Sequence, residues 1–227
     1  MTFADLQRIV GDSGPPGITP NETVSVRCHL FGTVLDIGML GNKIVTMRHV
    51  FNKCLETYHV APEQLTVDID AVESKAPSPT SLTSLQDAGF REIPELDLIV
   101  FDAPPSLQLK PLPPADVDFS KTPYASHIYA GDSFLYLQPV RISPFTAGAV
   151  SEPQGEWPIA AANLIRVNGR IMKGDSGFPL ILQFDGKREV AGFIRGGRID
   201  REGASVAVKA SALRDALLKH QSERPRE

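Results

Sequence analysis

The chain has 227 residues, enough to bury a sizeable core, and 42% of them are hydrophobic. Its 23 basic and 27 acidic residues leave a net charge of −4 with no lysine–arginine cluster, which argues against a nucleic-acid binder. No apolar run approaches the roughly 20 residues of a membrane helix, and Met1–Val10 lacks the layout of a secretory signal, so neither a membrane partner nor export is expected.

In chain order, residues 1–21 read as an arm. Leu6, Ile9 and Val10 are its apolar part, and Gly11–Pro20 is rich in turn formers. Strands are expected at Thr23–Phe31, Thr33–Ile37, Lys43–Thr46, Leu65–Ile69 and Asp97–Phe101. The first and fourth show partial alternation of apolar and polar residues. Val72–Asp87 is rich in Ser, Pro and Thr and reads as a surface loop. Ala103–Pro114 holds Pro104, Pro105, Pro111, Pro113 and Pro114, a stiff stretch poor in ladder donors. It makes residues 103–120 the natural linker between two halves, 22–102 and 121–210. In the second half, strands are expected at Ser133–Pro139, Ile142–Phe145, Leu164–Val167, Pro179–Gln183, Glu189–Ile194 and Ser205–Lys209. Many short strands with Gly and Pro turns indicate a sandwich or barrel. Residues 211–227 read as a helix and tail. Ser211 is a plausible N-cap; Leu213, Ala216 and Leu217 share one face, and Lys219 and His220 suit the negative end of the helix.

Three segments carry chemistry. Val45-Thr46-Met47-Arg48-His49-Val50 ends a strand with a histidine. Leu96-Asp97-Leu98-Ile99-Val100-Phe101 opens one with an acid. Gly174-Asp175-Ser176-Gly177-Phe178-Pro179 sets a serine in a turn. His, then Asp, then Ser is one of the chain orders of a serine-protease triad. A serine hydroxyl is a poor nucleophile until a neighbouring base takes its proton, and imidazole suits that task near neutral pH. An acid on the other ring nitrogen fixes the tautomer and stabilises the imidazolium formed during attack. Singly, each feature has a plain alternative: a turn for Gly174–Gly177, a structural histidine for His49, a strand terminator for Asp97. Together, in this order and with these flanks, they favour the triad.

With these residues the sequence resembles the chymotrypsin-like (trypsin-fold) serine peptidases over roughly residues 22–218, closer in style to bacterial and viral members than to disulfide-rich animal enzymes. Gly32-Thr33-Val34 and Ile44-Val45-Thr46 look like the strand pair before the family's histidine. Met47-Arg48 and Phe178 depart from the residues usual at those positions. The resemblance implies an all-β fold of two six-stranded antiparallel β-barrels with a short C-terminal helix. It implies a serine endopeptidase with Ser176 as nucleophile, His49 as general base and Asp97 as orienting acid. It assigns the oxyanion hole to the backbone N–H groups of Gly174 and Ser176. Arg170 and Ile171 should approach the pocket that reads the residue before the cut. Val190–Gly197 looks like the strand lining the substrate cleft, and so brings in Gly192, Phe193, Ile194 and Arg195. Two arginines near a cleft favour an acidic or polar substrate side chain over a basic one. The expected partner is a peptide or protein substrate, bound as an added strand along Val190–Gly197.

Four further readings follow. No Cys-x-x-Cys or His-x-x-x-His spacing occurs, so no metal or cofactor is expected. Cys28 and Cys54 are the only cysteines and are expected as free thiols, with an intracellular (cytoplasmic) location. Gly11-Asp12-Ser13-Gly14 repeats the nucleophile tetrapeptide but lies upstream of any partner, so Ser13 is not catalytic. It overlaps Arg8-Ile9-Val10-Gly11, which resembles the family's zymogen activation site; cleavage there would free an amine to pair with Asp175. Two other functions compete with the endopeptidase. One is a protease-fold peptide-binding module with little turnover, which Phe178 and Arg48 keep open. The other is an esterase of different fold, disfavoured because Gly-x-Ser-x-Gly is missing.

Overall fold

Strands of this chain are apolar on both faces, and the computed structural model gives each face its own core. It describes residues 2–8, 27–59, 61–62, 65–71, 83–105, 110–130, 135–146, 159–196 and 204–222. The N-terminal half holds β1 (Thr2–Arg8), β2 (Arg27–Asp36), β3 (Asn42–Met47), helix α1 (Arg48–Tyr58), β4 (Leu65–Ala71), β5 (Thr83–Ser84), β6 (Arg91–Ile93) and β7 (Leu98–Asp102). The C-terminal half holds β8 (Tyr124–Ala130), β9 (Leu135–Pro144), β10 (Leu164–Asn168), β11 (Pro179–Phe184), β12 (Lys187–Ile194), β13 (Ser205–Lys209) and helix α2 (Ala210–Ser222).

The second half is a closed six-stranded barrel in the order β10-β13-β12-β11-β8-β9. The first half is a seven-stranded sheet in the order β5-β4-β1-β2-β3-β7-β6. All of the named strand pairs are antiparallel. The extra strand is β1. Its residues fall in the segment read as an arm, yet they pair along their whole length between β2 and β4. The decoy tetrapeptide, and the bond after Arg8 expected of an activation site, lie at the edge of or outside the described residues.

Alternation, broken in β12 by a register shift at Ala191 between Val190 and Gly192, sorts the side chains. On β12, Ala191 and Ile194 point into the closed barrel with Leu180, Leu182, Ile165 and Ala207. Val190 and Phe193 point the other way, into a core shared with Val45, Met47, Leu98 and Val100 of the first half. On β7, Leu98 and Val100 join that shared core, while Ile99 and Phe101 pack with Phe51 and Cys54 of α1. The shared core is therefore what fixes the two halves against each other. Helix α2 closes it with Leu213 and Leu217.

The linker does more than connect. Between its prolines, Leu112 N–H donates to Val34 O and Leu112 O accepts from Asp36 N–H, joining it to β2. Ala115 N–H then donates to Val190 O, and Val190 N–H to Pro113 O, joining it to β12. Among the described residues, these bonds tie the linker to both halves.

Two sequence expectations change. Cys54 is disulfide-bonded rather than a free thiol, and the chain carries only one other cysteine. Helix α1 occupies a stretch for which no helix was expected. It buries Phe51 and Cys54, which lie three residues apart and so share a face.

Candidate active site

The register of β3 on β7 builds the first half of the site. Met47 pairs with Leu98, so the chain leaves β3 opposite the point where it enters β7. His49 follows β3 by two residues, in the first turn of α1, and Asp97 precedes β7 by one. Asp97 caps a short 3-10 turn, Pro94–Leu96, in the left-handed conformation at φ +54°. Acids tolerate that conformation better than most residues.

The first N–H groups of a helix lack intrahelical acceptors. In α1 they find Asp97. Arg48 N–H donates to the Asp97 carbonyl at 2.8 Å and His49 N–H to Oδ1 at 3.0 Å. The same carboxylate reaches the ring, with His49 Nδ1 2.7 Å from Oδ2. Asp97 therefore fixes both the backbone and the imidazole of His49. A carboxylate at a helix N-terminus is also favoured by the helix dipole.

Ser176 comes from the other half, in the loop between β10 and β11. The loop is held by Gly177 N–H to Ile194 O at 2.8 Å and Phe178 N–H to Asp175 O at 3.1 Å. Gly174 has φ +103°, a conformation that a side chain would strain although space for a Cβ is open. Among the described residues, the N–H groups of Gly174 and Ser176 make no backbone hydrogen bond. Ser176 Oγ lies 3.3 Å from His49 Nε2 and 3.0 Å from the carbonyl of Arg195. One hydroxyl proton serves either acceptor, so base catalysis needs it turned to the imidazole.

Asp175 is held from inside the barrel. Its Oδ2 accepts from Met172 N–H at 2.7 Å and lies 3.1 Å from Nε2 of His127, a fully buried residue of β8. Phe178 meets the His127 ring edge-on at 6.2 Å. No strand is expected at His127 from the sequence; it stands in the middle of β8. The signal available was alternation, with Ala125 and His127 both buried two residues apart.

The expected cleft residues divide. Gly192, Phe193 and Ile194 are a correction. Gly192 pairs with Leu180 on one side and Lys209 on the other, and Phe193 with Pro179 and Val208. Ile194 pairs with Ala207, while on its other side its N–H donates to Phe178 O and its carbonyl accepts from Gly177 N–H. Their backbone offers no free edge for an added strand, and the Phe193 and Ile194 side chains are fully buried. Only the end of the strand, at Arg195 and Gly196, opens on the site. At Gly196, φ is +90° and a Cβ would stand 3.0 Å from Ser176 Oγ. Arg170 is exposed beyond β10, and Ile171 is half-buried against the barrel core. Arg195 turns inward: its Nε donates to Asp97 Oδ2 at 2.9 Å. Arg48, next to the histidine, pairs with Glu92 of β6. A cavity bounded by Thr33, Leu112, Pro179, Gln183, Lys187 and Glu189 lies between the linker and the β11–β12 hairpin, and none of His49, Asp97 or Ser176 lines it.

Burial by itself would raise the Asp97 carboxyl. The hydrogen bond and charge of His49 and the charge of Arg195 outweigh it, and hold the group below the ordinary carboxylate range. A depressed folded value means stability that is present above the unfolded value, about 3.9, and lost as pH falls through the folded one. Asp97→Asn lacks this dependence. Urea unfolding should find the wild type ahead of Asp97→Asn at pH 6, with the gap shrinking as pH falls below about 4 toward the folded value. A gap that does not change over this range would contradict the depression.

No protein-family model matches the chain. No curated protein matches it either. Among solved structures it is similar to Rv3671c from M. tuberculosis H37Rv, an inactive serine-to-alanine mutant, with a TM-score of 0.52 and 18% identity over 99% of this chain and 89% of that one. A second structure, of Rv3671c protease in its inactive form, matches with a TM-score of 0.49 and 18% identity over 96% and 87%. A human pathogenic astrovirus serine protease matches with a TM-score of 0.47 and 14% identity over 91% and 88%. Identities this low speak for the fold alone, and the first match carries that argument.

Proposed function

From the chymotrypsin-like protease fold that the chain carries, we propose that it is a serine endopeptidase working through an acyl-enzyme on Ser176. The observation that carries the reading is the chain Ser176 Oγ, His49 Nε2, His49 Nδ1, Asp97 Oδ2, with contacts of 3.3 and 2.7 Å between side chains from two halves. In the forward step, His49 Nε2 takes the Ser176 proton as Oγ attacks the scissile carbonyl carbon. Asp97 stabilises the imidazolium so formed. The oxyanion is received by the N–H groups of Gly174 and Ser176. As the C–N bond breaks, His49 returns the proton to the leaving amine. Water, deprotonated by the same base, then releases the acid and regenerates Ser176.

Asp175 supports a reading without zymogen cleavage. The partner that a freed amine would supply is already supplied by His127 and the Met172 N–H. A second reading, the peptide-binding module, draws support from the Ser176 hydroxyl, which has the Arg195 carbonyl at 3.0 Å and the imidazole at 3.3 Å.

A fluorophosphonate probe separates the two. The endopeptidase should be labelled at Ser176, with labelling abolished in Ser176→Ala and reduced at least 100-fold in His49→Ala. Intact-mass measurement of the labelled species should find the N-terminal segment uncut. A folded protein that takes no label would leave the binding module standing. Label confined to chains cut after Arg8 would restore zymogen activation.

A further inference from the structure

One residue touches both ends of the candidate triad. The Arg195 carbonyl accepts from the Ser176 hydroxyl at 3.0 Å. Its guanidinium Nε donates to Asp97 Oδ2 at 2.9 Å, the oxygen that also faces His49 Nδ1 at 2.7 Å. The backbone is fixed as well, by Arg195 N–H to Val206 O at 2.9 Å on β13. We propose that Arg195 is a positioning residue of this site, acting through Asp97: its guanidinium fixes the carboxylate that in turn orients the His49 ring. The proposal rests on the serine-endopeptidase reading for its consequence, and on the ion pair for its cause.

The physical argument concerns one carboxylate with two cationic claimants. A carboxylate beside an imidazole favours the protonated ring. A guanidinium carries a permanent charge. Placed on the same oxygen, it offsets part of the field that Asp97 exerts on the imidazolium. It also favours the ionised carboxylate, so Asp97 stays charged and turned to the ring at lower pH. The side chain is largely sequestered, at 22% exposure, and Asp97 is at 9%, so solvent screens the pair weakly. The other charges nearby are engaged elsewhere. Arg48 on α1 pairs with Glu92 of β6, and Glu95, two residues before Asp97, faces His220 of α2 at 3.9 Å. The charge balance at Asp97 is thus set by His49 and Arg195.

This also moves Arg195 from the substrate to the machinery. A guanidinium committed to Asp97 is not the reader of an acidic substrate side chain that its cleft position suggested.

The test pairs a functional readout with one that needs no turnover. The rate of fluorophosphonate labelling at Ser176 would be followed against pH in wild type, Arg195→Met and Arg195→Lys. In parallel, the Asp97 carboxyl carbon would be titrated by NMR in the same proteins. In Arg195→Met, the acid limb of labelling should move up by about half to one pH unit, and the Asp97 titration should move up with it. Arg195→Lys, which keeps the charge but loses the fixed fork, should restore part of both shifts. Should Arg195→Met fail to fold, Arg195→Gln keeps most of the length without the charge and reads the same shift. Limbs and Asp97 titrations that superpose on wild type in the folded variants would overturn the proposal. Absence of labelling in every protein would instead overturn the endopeptidase reading, while the Asp97 titration still decides whether Arg195 acts on it.

Discussion

Ser176→Ala and His49→Ala should each lower kcat toward a peptide substrate by about 10⁶-fold, and the double variant should fall no further. The expectation follows from how the step is divided. Without the imidazole, the hydroxyl has no acceptor for its proton; without the hydroxyl, the imidazole has no nucleophile to activate. Either loss removes the same event, so the two do not add. What remains is the backbone contribution of the Gly174 and Ser176 N–H groups, which neither substitution deletes, and this residue of activity should sit roughly 10³-fold or more above water. Asp97→Asn should be milder in kcat, about 10⁴-fold, because an amide can still contact the ring while holding it in the wrong tautomer. It should also be less stable, since the Asp97 carboxylate faces both the His49 ring and the Arg195 guanidinium, and an amide does not replace its charge. Steady-state kinetics with urea melts on the same samples separate the two effects. A His49→Ala protein within tenfold of wild type would remove the imidazole from the mechanism.

How much of this site could be read in the sequence depended on what kind of demand each residue meets. His49, Asp97 and Ser176 were legible because the chemistry restricts residue type, and because chain order and flanking strands narrow the choice. What brings His49 and Asp97 together was not local: it is the Met47–Leu98 register, a pairing across the sheet. Ser205–Lys209 was read to its ends because all but its last residue are buried in a short uninterrupted run. Thr23–Phe31 and Thr33–Ile37 were read as two strands because Gly32 interrupts them; in the fold the described part continues through Gly32 as β2, opposite Thr2 of β1. β1 itself was missed because a strand paired on both sides owes its place to partners far along the chain. Helix α1 was hidden by the strand-then-histidine pattern that ends where it begins. Arg195 was assigned to the cleft by its position at the end of β12, but parity was the better guide. Phe193 faces the shared core, Ile194 the barrel interior, and Arg195 returns to the Phe193 side, toward the half that holds Asp97.

Phe193→Ala should be the most damaging of the core truncations, at about 3–5 kcal/mol. Phe193 is fully buried, and it stands in the one cluster that takes side chains from both halves. Its strand cannot shift to fill the space. β12 is paired to β11 and β13 at this point, and Gly192 next to it is packed so closely that even a Cβ would stand 2.4 Å from Val208 O. A cavity that cannot collapse costs the most. Phe184→Ala, at the exposed end of β11, is the control: at 49% exposure it should stay within about 0.5 kcal/mol of wild type. The consequence for function is geometric. His49 and Asp97 come from one half and Ser176 from the other, so the 3.3 Å between imidazole and hydroxyl is only as well defined as the core between the halves. Phe193→Ala should therefore lower the labelling rate at Ser176 under conditions where the protein is still folded, whereas Phe184→Ala should leave it unchanged. Equal labelling in the two folded variants would mean that contacts other than this shared core, such as the linker's bonds to β2 and β12, hold the site in register.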